Sequence, residues 1–234
     1  TLADEDVKPR LIRLNERRDM LPVQSIDFSG SDSFPPELKV SGAANAVIVP
    51  GNGGLRMTTG GNDRRVSTVL SSRSRYRDGV DVEVAMDFHR LGTNDPMESD
   101  CEAALKVFFD ASMQNSRSPV EATFILRQQS GGFRELVSRI VHRNAAGHLV
   151  YLPLHTVPVK SPDSFRVVVH ENLLYFLYSE ADSQEYLVAA VSPVSEGLTA
   201  HGFHLKFVAA GENHATDLTL RRLTIHQMPS VDSE

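Results

Sequence analysis

Ser164–Ala190 reads SFRVVVHENLLYFLYSEADSQEYLVAA. Phe165–Val169 is a β-branched run, and Leu173–Tyr178 is a second apolar and aromatic run. Between them His170-Glu171-Asn172 makes a short polar connection, with Asn172 able to take positive φ at low cost. Ser179–Ser183 turns the chain into a third run, Tyr186–Ala190. Apolar strand, polar turn and apolar strand, repeated, predict an antiparallel meander inside a sandwich or barrel.

Outward from this stretch the same grammar recurs. Val80–Phe88 alternates cleanly: Val80, Val82, Val84, Met86 and Phe88 point one way, and Asp81, Glu83, Ala85 and Asp87 the other. Further strands are predicted at Ile26–Phe28, Leu38–Val40, Val47–Val49, Leu55–Thr58, Val66–Ser72, Ala103–Phe109, Val120–Arg127, Glu135–Arg143, Leu149–Leu154, Phe203–Ala209 and Asp217–His226. Val157–Asp163 reads as a proline-bearing loop. The glycines of Pro50–Gly54 follow no long apolar strand and precede no helix, so they are hairpin glycines rather than a phosphate loop. Such spacing is that of an all-β, two-sheet antiparallel jelly-roll sandwich. Residues 1–24 differ, fitting an N-terminal arm or short helix, and residues 25–234 form one sandwich domain.

Composition narrows the function classes. A chain of 234 residues buries a large β core without disulfides or metals. The net charge of −6 with dispersed basic residues gives no nucleic-acid footprint, and Arg64-Arg65 and Arg221-Arg222 read as strand ends. The single Cys101 leaves no internal disulfide and no Cys-based zinc site. No run of 18 apolar residues spans a membrane. No Gly-x-Ser-x-Gly, His-Glu-x-x-His or Walker motif occurs. A start at Thr1 is consistent with an exported chain whose signal was removed, or with a piece of a longer protein with neighbouring domains.

Several phrases in order carry a resemblance: Asp27-Phe28-Ser29-Gly30, Gly54-Leu55-Arg56-Met57, Arg77–Val84, Phe165–Val169 leading to Leu173–Phe176, and Leu218–Ile225. Together they resemble the concanavalin A-like lectin/glucanase superfamily, nearest its uncharacterised bacterial members, over Ser25 to Gln227. The resemblance implies a convex and a concave sheet, the latter often a sugar-binding groove, and it allows a structural calcium. It does not imply an activity. A glycanase of this kind carries Glu-x-Asp-x-x-Glu on one strand. Here the strand reads DVEVAMD over Asp81–Asp87, and Met86 stands where the third carboxylate belongs. With no Trp in the chain, Tyr76, Tyr151, Tyr178 and Tyr186 are the stacking surfaces left for a sugar.

The candidate site follows from these residues. Asp81, Glu83 and Asp87 share a strand face, on which residues two apart lie roughly 6.5–7 Å from one another, within reach of either glycosidase geometry. The first function reading is a non-catalytic, carbohydrate-binding module, with Asp81, Glu83, Arg127 and Tyr186 as ligand residues. The alternative is a glycoside hydrolase using Glu83, Asp81 and Asp87, with Glu83 as nucleophile or base. A protein-interaction scaffold is a third. The bland reading of the same acids is a solvated face paired with Arg73, Arg75 or Arg127. Asp95, Glu98, Asp100 and Glu102, or Asp27 with Asp217, are the acids for a calcium, though solvated acids are preferred. His201 and His204 fall on opposite faces of a strand and are not metal ligands.

Overall fold

Alternation predicts two-faced strands, and fifteen of them form in the computed structural model, which describes residues 23–28, 34–36, 38–42, 46–51, 54–59, 66–72, 80–92, 102–110, 119–128, 133–170, 172–181, 183, 185–195, 198, 200–209 and 215–227. They are β1 (Val23–Asp27), β2 (Leu38–Gly42), β3 (Ala46–Gly51), β4 (Gly54–Thr59), β5 (Val66–Ser72), β6 (Val80–Gly92), β7 (Glu102–Phe109) and β8 (Pro119–Gln128). Then come β9 (Arg134–Arg143), β10 (Leu149–Val159), β11 (Pro162–His170), β12 (Leu173–Glu180), β13 (Leu187–Pro193), β14 (Ala200–Ala209) and β15 (Ala215–Gln227). The predicted arm at residues 1–24 lies, up to residue 22, outside the described residues. Among the described residues no helix is long and apolar enough to cross a membrane.

Two antiparallel sheets result. The first runs β13-β12-β11-β6-β15-β4-β3, with β1 also paired to β15; the second runs β10-β9-β8-β7-β14-β5-β2. The 164–190 stretch is the predicted meander: β11 pairs with β12 and β12 with β13, and Asn172 takes φ 60° in the tight turn. The prediction of a loop at Val157–Asp163 is corrected. β10 continues through Pro158 to Val159, and β11 starts at Pro162. An edge strand tolerates proline because one side of its ladder is free, and a bulge between Pro153 and His155 absorbs the first proline.

The core lies between the sheets. Val80, Val82, Val84 and Met86 of β6 join Phe165, Val167 and Val169 of β11 and meet Leu105, Val107, Phe124 and Leu126 from the second sheet. At the β3–β4 hairpin Gly51 stands opposite Gly54, the turn that the glycine cluster predicts. Gly54 holds φ +137°, and a Cβ there would sit 2.2 Å from the Leu220 carbonyl oxygen. Only glycine lets β4 approach β15 this closely.

One bulge shapes the outside. In β15 the register slips between Leu220 and Arg222, so Leu218 and Leu220 point inward, then Leu223 and Ile225. The inserted residue leaves Arg221 and Arg222 both on the outer face, where simple alternation would bury one.

Candidate functional site

The outer face of the first sheet gathers the acids that alternation singles out. Asp81 stands beside Val168 of β11 and His226 of β15, and Glu83 beside Arg166 and Thr224. Arg166 reaches diagonally to Asp81 in a two-pronged pair, Nε to Oδ1 at 2.9 Å and Nη2 to Oδ2 at 2.7 Å, and both side chains are fully buried. The Tyr186 ring covers that guanidinium at 5.2 Å. Ser164 donates to the Tyr186 hydroxyl at 3.1 Å and shares a 2.7 Å bond with Ser179, which in turn donates to Asp163. Arg222 approaches Glu83 at 3.5 Å, and the bulged Arg221 lies 3.3 Å from Asp87 and 3.5 Å from Asp163.

The structure therefore brings Asp81, Glu83 and Tyr186 together and separates them from Arg127. That residue is on β8 of the other sheet, where its partner is Glu135. Pairing of the acids with Arg127 is corrected: the strands beside β6 are β11 and β15, and these supply Arg166, Arg221 and Arg222. Arg73, Arg75, Tyr76, Asp95, Glu98, Asp100 and Cys101 lie outside the described residues. Nor is the inner part of this face open to water, because Asp81 and Glu83 are 0% and 4% exposed. Chemically it is an ionic layer that ties β6, β11 and β15. A fully buried, arginine-clamped carboxylate offers a sugar no surface.

Tyr186 reports on this layer. Its hydroxyl pKa is pushed up to about 12, first by burial and then by the charge and hydrogen bond of Glu83, against the pull of Ser164 and Arg166. Its folded value thus lies above the ordinary 10.0, so the stabilisation is present below pH 10 and is lost as pH rises toward 12. Urea midpoints measured from pH 9 to pH 12 should fall in that window. Tyr186→Phe, which has no proton to lose, should fall less. Equal slopes would remove the assignment.

The second sheet carries a different outer face. Tyr151, Val141, Glu121, Phe108 and Gly202 stand in register on β10, β9, β8, β7 and β14, one row across five strands. The next row is Arg139, Thr123, Lys106 and His204. A cavity of about 380 Å³ opens over the first row, lined by Phe108, Glu121, Val141, Arg143, Leu149 and His201 among others. Lys106 Nζ donates to Glu121 at 2.8 Å, and Thr123 donates to the same carboxylate oxygen. Burial would raise the Glu121 pKa, but those two hydrogen bonds and the charges of Lys106 and Arg139 outweigh it and hold the carboxylate below its usual range. The Arg139 guanidinium lies over the half-exposed Tyr151 ring at 5.0 Å, while its shielded Nε has no acceptor among the described residues.

His201 and His204 both turn to this side, against the expectation of opposite faces. A bulge between Ala200 and Gly202 shifts the phase, and Phe108 meets both rings, at 6.0 Å and 4.4 Å. Of this second cluster, sequence reading picks out only Tyr151, as a stacking surface. The alternation of Glu121, Thr123, Ile125 and Arg127 is visible in the sequence, but which sheet they join is not. Among the described residues no group of three or more His, Cys, Asp or Glu could hold a metal ion. Asp217 is clamped by Arg56 at 2.9 and 2.6 Å and stands five residues along β15 from Arg222, the partner of Asp27, so those two acids do not converge.

This architecture is the concanavalin A-like jelly roll. The chain is similar to the exoplasmic/lumenal domain of VIP36 in its Ca2+/Man-bound form, at 13% identity and TM-score 0.57, over 90% of this chain and 92% of that one. It is also similar to the κ-carrageenase of Pseudoalteromonas carrageenovora in complex with an oligotetrasaccharide of κ-carrageenan, at 10% identity and TM-score 0.55, over 86% and 92%. A third likeness is the CBM2 module of the evolved Dit of Lactobacillus casei BL23 phage J-1, at 9% identity and TM-score 0.57, over 90% and 96%. No protein-family model and no curated protein sequence matches.

Proposed function

We propose that this chain is a non-catalytic carbohydrate-binding module that takes an oligosaccharide along the Tyr151–Val141–Glu121–Phe108 row. One observation carries the reading: the Tyr151 and Phe108 rings stand on one row three strand spacings apart, roughly 14 Å, and between their strands lie Val141 and Glu121, which line the cavity with Phe108, and the Lys106–Glu121 hydrogen bond. Sugars present apolar ring faces and polar edges, and this row offers aromatic surface for the first and Glu121, Thr123 and Lys106 for the second. The lectin domain and the carrageenase named above are recorded with saccharides, which supports the same class of ligand here. A structural calcium stays a proposal for the acids outside the described residues together with Glu102, which stands opposite Arg127 in register.

A glycan array followed by calorimetry tests the reading. Tyr151→Ala should weaken a bound saccharide about tenfold, as loss of one stacking surface does, and Glu121→Gln by a similar factor. Wild-type affinity in both variants would move the site elsewhere. A hydrolase reading is favoured by one observation, that Glu121 and Asp110 line the same cavity. Sugar release that Glu121→Gln abolishes would put that reading first.

A further inference from the structure

The charges around the cavity do not balance. Among the described residues of the two rows and their rim, Lys106, Arg139 and Arg143 are cationic, whereas only Glu121 and Asp110 are acidic. This occurs in a chain whose net charge is −6. Glu121 does not neutralise all three cations, because it already accepts from Lys106 and Thr123. Arg139 leans on Tyr151 with no acceptor for its Nε among the described residues, and Arg143 donates to the Gly147 carbonyl at 3.0 Å. His201 adds a further donor at the rim, in contact with Phe108.

Resting on the saccharide reading above, we infer that the row selects an acidic saccharide, whose carboxylate or sulfate sits between Tyr151 and Arg143 and supplies the missing negative charge. The geometry suits this role. Arg143 stands opposite Leu149 at the end of β9, and Tyr151 stands opposite Val141, so an anion above Val141 is flanked by Arg139 on one side and Arg143 on the other. A guanidinium fork matches carboxylate or sulfate oxygens better than the hydroxyl groups of a neutral sugar. The aromatic ring then packs on the apolar face of the same sugar unit while the arginines hold its charged substituent. The Glu121 carboxylate, kept ionised by Lys106, faces hydroxyl groups further along the row and repels an anion placed there, which fixes the direction in which the saccharide lies.

The test compares three oligosaccharides of equal length by calorimetry: a neutral hexose oligomer, an oligogalacturonate and a sulfated neutral-backbone oligomer. Either acidic oligomer should bind at least about tenfold more tightly than the neutral one at low ionic strength. The margin should shrink several-fold between roughly 20 mM and roughly 300 mM salt, since screening acts on the charged contact. Which acidic oligomer wins identifies carboxylate or sulfate as the anion. Arg143→Gln, at an exposed position, and Arg139→Gln should each erase most of the margin between acidic and neutral oligomers. Equal affinity for neutral and acidic oligomers overturns this inference and leaves saccharide binding standing. Absence of binding by all three, with Tyr151→Ala silent, overturns both.

Discussion

Arg166→Met should destabilise the fold by about 3–5 kcal/mol, because it leaves the Asp81 carboxylate buried without its clamp. For a chain of this length that corresponds to a melting temperature lower by about 10 °C. The argument turns on asymmetry. Two charges fully withdrawn from water are costly, and their mutual attraction offsets that cost only while both hydrogen bonds, 2.9 and 2.7 Å, are made. His226 Nδ1, 3.7 Å from Asp81, is too far to replace a guanidinium fork. The double variant Asp81→Leu/Arg166→Met removes both charges and should recover most of the loss, since Val168, Tyr175 and Leu177 already make this part of the face apolar. Urea unfolding of the two variants decides the matter. A single variant within about 1 kcal/mol of the wild type would show that the ion pair is not what holds β6 to β11.

The same ion pair shows what the sequence could and could not reveal. The Val80–Phe88 alternation places Asp81 and Glu83 on the face opposite the core, and that placement is seen: Val80, Val82, Val84 and Met86 face the core while the acids turn away. Strand spacing alone yields this, because the period of two is fixed by the backbone. What covers the acids depends on partners 85 and 145 residues away, Arg166 and His226, brought alongside by sheet order. Local pattern carries no information about that order. The pattern therefore predicts a solvated face with arginine partners, whereas Asp81 is buried and its arginine is Arg166 of β11.

Bulges were equally invisible. The slip at Arg221 and the slip at Gly202 each move side chains to a face that strict alternation denies them, and each lies beside a cluster described above. A bulge costs one unpaired residue and has no fixed sequence mark apart from a glycine in some forms, so Gly202 hinted at it and Arg221 did not. The row on the second sheet was hidden for a related reason. Tyr151, Val141, Glu121 and Phe108 come from four strands, and their alignment depends on three register choices at once. By contrast the 164–190 meander needed only nearest neighbours and short turns, and Asn172 at φ 60° is where the turn chemistry puts it.

Phe124→Ala should be at least as damaging as the loss of Arg166, at about 4 kcal/mol or more. Phe124 has no exposed surface and is the ring through which the second sheet meets the first. Its centroid lies 5.4 Å from Phe165 and 5.5 Å from Phe176, and Phe165 continues to Phe88 at 5.9 Å. Truncation to alanine leaves a cavity in a close-packed interior, at a cost of about 3–5 kcal/mol, and removes one tilted and one edge-on ring contact worth about 0.5–1.5 kcal/mol each beyond their area. Phe124→Leu retains most of the volume and should cost only about 1.5 kcal/mol. Denaturant midpoints with unchanged slopes give both values. If leucine proves as damaging as alanine, the stabilisation lies in the aromatic geometry rather than in filled volume. Thr123 and Ile125, the neighbours of Phe124 on β8, point to the opposite face, Thr123 into the network around Glu121. The leucine variant should therefore still bind a saccharide within about twofold of wild type, because a filled core keeps β8 in register beneath the row. Binding lost without loss of stability would instead place the ligand's support in the ring stack itself.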